Sequence, residues 1–384
     1  MRLVFWLNCL SPHQLPYIVH LMDDERVDKV AIVTGCAMEK TRKEMGWDVT
    51  SVVGLRECDI HISPPLQVIG HLLAERTTDS IHLFSGIRGF GFVFSVFRKS
   101  LSFNVKRGLI VERPNTFAFG HPNGKPLWLH RLRWQLQDRK YFPMIDYVFA
   151  MGEDAVSFFR SLNHRWKVFP FAYCTKQIDT GIQMDEFNKS ETGFCFVGSL
   201  SWRKNVALLL EATHCIICKR MLTGGGKITI YGDGNQKGKL LRYKEEYSLH
   251  NVRFAGTQRN RDIPGLLSGQ DILVLPSLYD GWGAVVNEAL QQGCYVICSD
   301  KCGAKELLAG DNRRGLVFES KRVKQLAACM EYCMDNIGSI RKDREYRKKW
   351  AINHIQGKVI ARYIVDCLSG KNVVPPWRKN KKNQ

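Results

Sequence analysis

A chain of 384 residues has room for two domains of ordinary size, and a hydrophobic content of 45% excludes a wholly disordered protein. The formal net charge of +19 implies an acidic partner: nucleic acid, an anionic membrane surface or a phosphorylated substrate. No stretch joins the cations to an RNA-binding signature or a zinc-finger spacing, so no nucleic acid is expected and a membrane surface is the better fit, beside the plainer reading of a solvated cationic face.

The opening residues MRLVFWLNCLSPHQ have the positive residue and short apolar run of a secretory leader, but no small-residue cleavage site follows. Leu3–Leu7 is therefore expected to be a buried strand. Val30–Val33, Ile81–Phe84, Gly108–Val111, Tyr147–Ala150 and Lys167–Phe171 read the same way, with helical or loop segments between them. That alternation predicts a doubly wound α/β domain over residues 1–173, with ligands bound beyond the carboxyl ends of its strands. The residues just past those ends are His13, Arg88, Glu112 and Arg113. His13 is either a ligand contact or an ordinary turn residue, and Glu112 either orients a hydroxyl or pairs with Arg113 or another cation. Residues 116–126 read as a loop. Trp128–Tyr141 then reads as a helix with aromatic and basic faces, its Trp128 and Trp134 either core or surface.

Residues 174–192 are polar, show little periodicity and are expected to be a linker. A second domain over 193–340 opens with the strand Phe194–Gly198. The loop after it carries Arg203 and Lys204, and an apolar helix runs to Met221. That helix holds the one CxxC, Cys215 to Cys218, preceded by His214 and expected to be buried thiols rather than a metal site. Thirteen scattered cysteines suit reduced thiols in a cytoplasmic protein, and Cys294, Cys298 and Cys302 are not expected to gather on one face. Lys227–Tyr231, the turn Gly232-Asp233-Gly234, the strand and loop Asn251–Thr257 and the short helix Arg259–Leu267 follow.

Ile272–Leu275 then stops at Pro276 and enters the loop Ser277–Gly283, a helix over Ala284–Gln292, and another strand, Tyr295–Cys298. Strand, loop, helix and strand make a βαβ unit and a parallel sheet. Glycines let backbone lie close to a ligand, and a helix start offers N–H groups to an anion. Asp280 and Glu288 frame this loop, with Glu288 roughly 6 Å into the helix. A phosphate between them would leave Glu288 for a ribose and Asp280 for a sugar, since carboxylates accept from paired hydroxyls. Two acids that merely cap an ordinary βαβ loop are the alternative. A strand at Gly315–Phe318, helices over Lys321–Asn336 and Arg341–Leu368, and a basic tail from Lys371, mobile from Pro375, complete the chain.

The run Pro276-Ser277-Leu278-Tyr279-Asp280-Gly281-Trp282-Gly283, followed by Glu288-Ala289, resembles the P-S-x-x-E-G-F-G-x-x-x-x-E-A pattern of retaining glycosyltransferase family 4, with Asp280 in place of the usual Glu. Val197, Gly198, Leu200, Lys204 and Asn205 match a second pattern of that family, V-G-R-L-x-x-x-K-N, in which Ser199 replaces Arg. Gly232-Asp233-Gly234 and Gly303-Ala304-Lys305-Glu306 match two more segments in order.

The resemblance implies a GT-B fold: two Rossmann-like, doubly wound domains facing across a cleft, with residues 341–370 crossing back to the first domain and 371–384 as the tail. It implies retaining transfer of a sugar from a UDP- or GDP-linked donor to a glycan or lipid-linked acceptor. Bacterial-type surface polysaccharide or glycolipid assembly is the implied setting, in the cytoplasm or peripherally on the inner face of the membrane. Asp280 would hold the donor sugar, Glu288 the ribose, and the amides of Gly281, Trp282, Gly283 and Ala284 the phosphates beside Gly198. Lys204 would offset the diphosphate charge, with Arg203 substituting for the missing Arg. Thr257 and Gln258 would face the base, His13 the acceptor or the donor sugar, and Glu112 with Arg113 the acceptor. No D-x-D is present, and neither a metal nor another cofactor is expected. An inverting GT-B transferase with His13 or Glu112 as base, and a non-catalytic polyanion binder, are the rivals.

Overall fold

The apolar runs of the first half pair as one all-parallel sheet of seven strands. These are β1 (Arg2–Leu7), β2 (Lys29–Thr34), β3 (Asp59–Ile62), β4 (Ser80–Phe84), β5 (Lys106–Glu112), β6 (Tyr147–Met151) and β7 (Lys167–Phe171), in the order β3-β2-β1-β4-β5-β6-β7. The computed structural model describes residues 1–44, 55–76, 78–116, 125–176, 178, 191–220 and 226–378. Every residue of β1, β4 and β6 is buried, as strands covered by helices on both faces must be. β3 was not expected. It has four residues, lies at the sheet edge and is only partly buried, so its hydrophobic signal is weak.

One polar residue inside this core has a structural task. His82 of β4 is fully buried, and its Nδ1 accepts a hydrogen bond from Trp6 Nε1 at 3.0 Å. Burial, with Arg2 and Arg107 nearby, pushes its pKa down to about 3, so the imidazole stays neutral.

The second half forms a separate six-stranded parallel sheet: β8 (Gly193–Val197), β9 (Lys227–Tyr231), β10 (Val252–Gly256), β11 (Ile272–Leu275), β12 (Tyr295–Ser299) and β13 (Gly315–Phe318). Its order is β10-β9-β8-β11-β12-β13, so the chain reverses direction across the sheet between β8 and β11. Open α/β sheets bind ligands beyond the strand ends at such a switch point.

The described residues divide into two units, one made of 1–116, 125–176 and 354–378, the other of 178 and 191–353. The expected loop over 116–126 and the linker over 174–192 lie largely outside the described residues. The last helical segment is not continuous, as its sequence suggested. It breaks into Ile337–Lys342, Arg344–Ile355 and Gly357–Leu368, with Gln356 extended between the last two.

The helix Gly357–Leu368 packs against Leu15–Ile18 in the first unit and buries Ile360, Tyr363, Ile364 and Val365. Tyr363 donates to the Pro170 carbonyl at 2.9 Å, and Asp366 pairs with Arg26 at 2.8 Å. The chain from Pro375 to Arg378 is not loose, contrary to expectation, because Trp377 is buried and meets Tyr363 edge to face at 5.7 Å.

Gly357, the first residue after the break, lies where a side chain has no room. A Cβ at position 357 would sit 2.0 Å from the Pro16 carbonyl oxygen. Gly357→Ala is therefore expected to cost about 2–3 kcal/mol through overpacking against backbone. Gly238→Ala, in a helix where an added Cβ meets nothing, is expected to be neutral or to stabilise by up to about 1 kcal/mol. Denaturant unfolding of the two variants beside the wild type checks both.

Candidate functional site

The site of the second unit lies along the carboxyl edge of its sheet, where all strands end in the same direction. After β8 the backbone turns at Gly198, and a short 3-10 turn, Trp202–Lys204, closes on Asn205 in the left-handed region at φ 51°. This turn presents Arg203 and Lys204. After β11 the loop from Pro276 to Ala284 leads into the helix Val285–Gln291. The two loops are joined directly, since the amide of Leu278 donates to the Arg203 carbonyl at 2.7 Å.

Asp280 is held from two sides. Its amide donates to the Lys301 carbonyl at 3.1 Å, its carbonyl accepts from the Gly303 amide at 3.1 Å, and it forms an isolated parallel bridge with Cys302. Its carboxylate receives the Lys204 ammonium in a close ion pair, both side chains being about one-tenth exposed. Arg203 Nη1 stands 3.6 Å from the other Asp280 oxygen and donates to the Tyr279 carbonyl at 3.1 Å. The structure thus brings Lys204, Arg203 and Asp280 to one point.

Close backbone approach, rather than an open cradle, explains several of the glycines. A Cβ on Gly232 would lie 1.9 Å from the Gly198 carbonyl oxygen, and one on Gly234 would lie 2.6 Å from that of Leu200. The loops after β8 and β9 therefore touch backbone to backbone, with the Leu200 amide donating to the Asp233 carbonyl at 2.8 Å. Gly303 does the same for the third loop, its missing Cβ leaving room for the Gly281 carbonyl, 2.2 Å away.

Trp282 is 1% exposed, and its Nε1 donates to Asn287 Oδ1 at 2.8 Å. Its carbonyl accepts from the Ala304 amide at 2.7 Å and the Cys302 thiol at 3.0 Å. Its ring is thus a structural pillar, which leaves only backbone for any contact with a ligand. Sequence reasoning missed this lock, although an Asn five residues after a Trp in a turn-to-helix segment is a usable signal.

Glu288 lies in the first turn of Val285–Gln291 and is only partly exposed. Burial pushes its carboxyl up to about 8, so near neutral pH it is largely protonated. Thr257 and Gln258 follow β10, the strand furthest from β11 on that side, with Thr257 exposed and Gln258 Nε2 donating to the Ala255 carbonyl at 2.9 Å.

The remaining predicted residues belong to the first unit. His13 follows β1, where its amide donates to Ser11 Oγ at 3.3 Å, and burial lowers its pKa to about 4. Glu112 is the exposed last residue of β5. Arg113 pairs with Asp154 at 3.0 Å, an acid that the sequence reading did not consider. Arg88 pairs with Asp138 and lies 4.7 Å over the Phe94 ring, so it serves the fold.

One cysteine expectation is corrected. Cys215 and Cys218 are exposed, because they lie on the outer side of Val206–Arg220, and Cys218 Sγ is 3.6 Å from a ring nitrogen of His214. Cys294, Cys298 and Cys302 do not gather on one face, as expected: Cys302 turns back beside Cys298, whereas the Cys294 thiol donates to the Leu267 carbonyl at 3.0 Å. Among the described residues no group of three or more His, Cys, Asp or Glu is placed to hold a metal ion.

Two doubly wound units, each around its own parallel sheet, define the GT-B fold. Anabaena HepE, solved in complex with UDP, matches with a TM-score of 0.68 over 96% of this chain and 100% of that one at 14% identity. Residues 179–355 match the family described as Glycosyl transferases group 1.

An uncharacterized glycosyltransferase of Methanocaldococcus jannaschii, MJ1607, is 25% identical over 58% of this chain and 57% of its own length. The Campylobacter jejuni N-acetylgalactosamine-N,N'-diacetylbacillosaminyl-diphospho-undecaprenol 4-alpha-N-acetylgalactosaminyltransferase is 33% identical over 32% of each chain. The chain thus spans little more than half the length of the first of these relatives and a third of the second.

The Glu288 environment yields a pH-dependent prediction. A carboxyl with a pKa near 4.5 in the unfolded chain and about 8 in the fold is bound to its proton more tightly in the fold. Its contribution is therefore fully present below pH 4.5 and lost as pH rises through 8. Glu288→Gln, which keeps the neutral shape, is expected to match the wild type near pH 4.5 and to exceed it by about 3 kcal/mol at pH 7. Urea unfolding across that pH range reads the difference.

Proposed function

We propose that the chain is a retaining glycosyltransferase that moves a sugar from a nucleoside diphosphate sugar to a glycan or lipid-linked acceptor. The observation that carries this reading is the convergence of Lys204, Arg203 and Asp280 at the switch point of the second sheet, with Glu288 in the adjoining helix turn. A leaving diphosphate gathers negative charge as the glycosidic bond breaks. Fixed cations aimed at it stabilise the transition state more than the ground state. Lys204 and Arg203 have that charge, and their hold on Asp280 sets its carboxylate where a donor-sugar hydroxyl can donate to it. Glu288 accepts from the ribose, Thr257 and Gln258 face the base, and the backbone from Gly281 to Ala284, beside Gly198, contacts the phosphates.

With the charge of the diphosphate met by side chains, no metal is assigned to the reaction. The leaving phosphate oxygen takes the proton of the attacking hydroxyl. An inverting course needs a protein base; His13, at about 4, is a weak one near neutral pH, which leaves Glu112 as the base that course would use. Glu112 and Arg113 are assigned to the acceptor side. The UDP bound by HepE favours a UDP-linked donor over a GDP-linked one. The diphospho-undecaprenol in the name of the Campylobacter jejuni relative supports a lipid-linked acceptor and a place in surface polysaccharide or glycolipid assembly on the cytoplasmic face of the membrane.

Thermal unfolding with UDP, GDP and other nucleotides tests the donor site. A ligand at 100 times its Kd adds about 2.7 kcal/mol to the folded state. UDP is expected to raise the Tm of the wild type and not that of Lys204→Ala or Glu288→Ala, and Lys204→Ala is expected to lower kcat by about 10²–10³-fold. Failure of every nucleotide to shift the wild type, with tight salt-sensitive binding to heparin, would establish a polyanion binder instead.

A further inference from the structure

The segment 127–144 of the first unit has two unlike faces. It runs as a helix Leu127–Arg133, a wider π turn Trp134–Asp138 and a 3-10 turn Arg139–Met144. Its inner face is well anchored: Trp134 meets Phe159 edge to face at 5.4 Å, Gln135 donates to the Leu162 carbonyl at 3.1 Å, and Asp138 pairs with Arg88. Its outer face is the opposite of what a soluble helix displays. Trp128, Leu132 and Leu136, spaced four apart, are 63%, 47% and 76% exposed, and Leu129 beside them is 37% exposed. No residue of Leu127–Arg133 is buried. Folding gains nothing from leaving such side chains in water, and a contiguous apolar stripe on a surface marks a place where something binds.

The charges around the stripe select the partner. Arg131, Arg133, Arg139 and Lys140 are all exposed, and the one acid between Leu127 and Met144, Asp138, is buried against Arg88. Every exposed formal charge on the segment is therefore positive. Two copies meeting symmetrically through this face would set like charges against like. A nucleic acid would use the cations but leave the leucines in water. An interface whose headgroups are anionic and whose interior is hydrocarbon matches both features at once.

We propose that the outer face of residues 127–144 docks the protein on an anionic lipid bilayer, with Trp128, Leu129, Leu132 and Leu136 entering the acyl boundary and Arg133, Arg139 and Lys140 meeting the headgroups. The segment lies in the plane of the surface and does not cross it, in keeping with the absence, among the described residues, of any helix long and apolar enough to span a membrane. This inference is independent of the reaction proposed above.

Vesicle co-sedimentation of the full chain tests it, with phosphatidylcholine vesicles containing phosphatidylglycerol set against phosphatidylcholine alone. The wild type is expected on the anionic vesicles only. Leu132→Gln/Leu136→Gln and Arg133→Gln/Arg139→Gln/Lys140→Gln are each expected to bind them at least about tenfold more weakly. An unchanged Tm in both variants shows that the fold is intact, since the altered side chains are exposed. Wild-type vesicle binding by both variants, or no vesicle binding by the wild type, overturns the proposal. So does a dimer in sedimentation velocity that Leu132→Gln/Leu136→Gln dissociates, which would make the stripe a contact between copies.

Discussion

Lys204 and Asp280 are 76 residues apart in sequence and meet as an ion pair with little access to solvent. Charges removed from water are tolerated only when each has its counterpart, and removing one partner leaves the other uncompensated. The pair therefore fixes the loop after β8 to the loop after β11, and the Leu278 amide on the Arg203 carbonyl fixes the same two loops through backbone. The loop after β12 is drawn in by the Asp280–Cys302 bridge. Three strand ends thus share one anchor. In the proposed reaction a diphosphate competes with Asp280 for Lys204, so donor binding and the local structure of the switch point draw on the same charge.

Much of the second unit was legible because strands buried on both faces appear in sequence as short unbroken apolar runs. Pro276 and Gly293 bracket the central loop and helix, and the observed Val285–Gln291 falls one residue inside each expected end. The grouping of Gly198, Lys204, Asp280 and Glu288 along one edge followed from strand order, which motif order anticipates. The use of the glycines did not follow. A Gly-rich turn suggests room for a ligand, yet at Gly232, Gly234 and Gly303 that room is taken by a neighbouring carbonyl, and only tertiary contact reveals it.

Side-chain exposure was legible only where one face of an element had an unambiguous pattern. Trp128 and Trp134 are both aromatic residues in one helical stretch, and the sequence left each either core or surface. Phe159, which meets the Trp134 ring edge to face, separates the partly buried Trp134 from the exposed Trp128. The opposite surprise occurs at Cys215 and Cys218, where an apolar helix turned its thiols outward. β3 escaped notice because four edge residues with two polar side chains have too little periodicity to register.

The helix Gly357–Leu368 belongs to the unit that begins at the other end of the chain. Ribosomal synthesis therefore delivers the two units out of step. Residues 191–353 form an uninterrupted stretch and have all their strands before the closing helix is made. The first unit, although its sheet strands emerge earliest, must wait with the apolar side of Leu15–Ile18 uncovered until the helix arrives to close it. Nascent chains usually fold their domains from the amino end onward. Here the amino-terminal unit is begun first but cannot be complete until the last helix has been made.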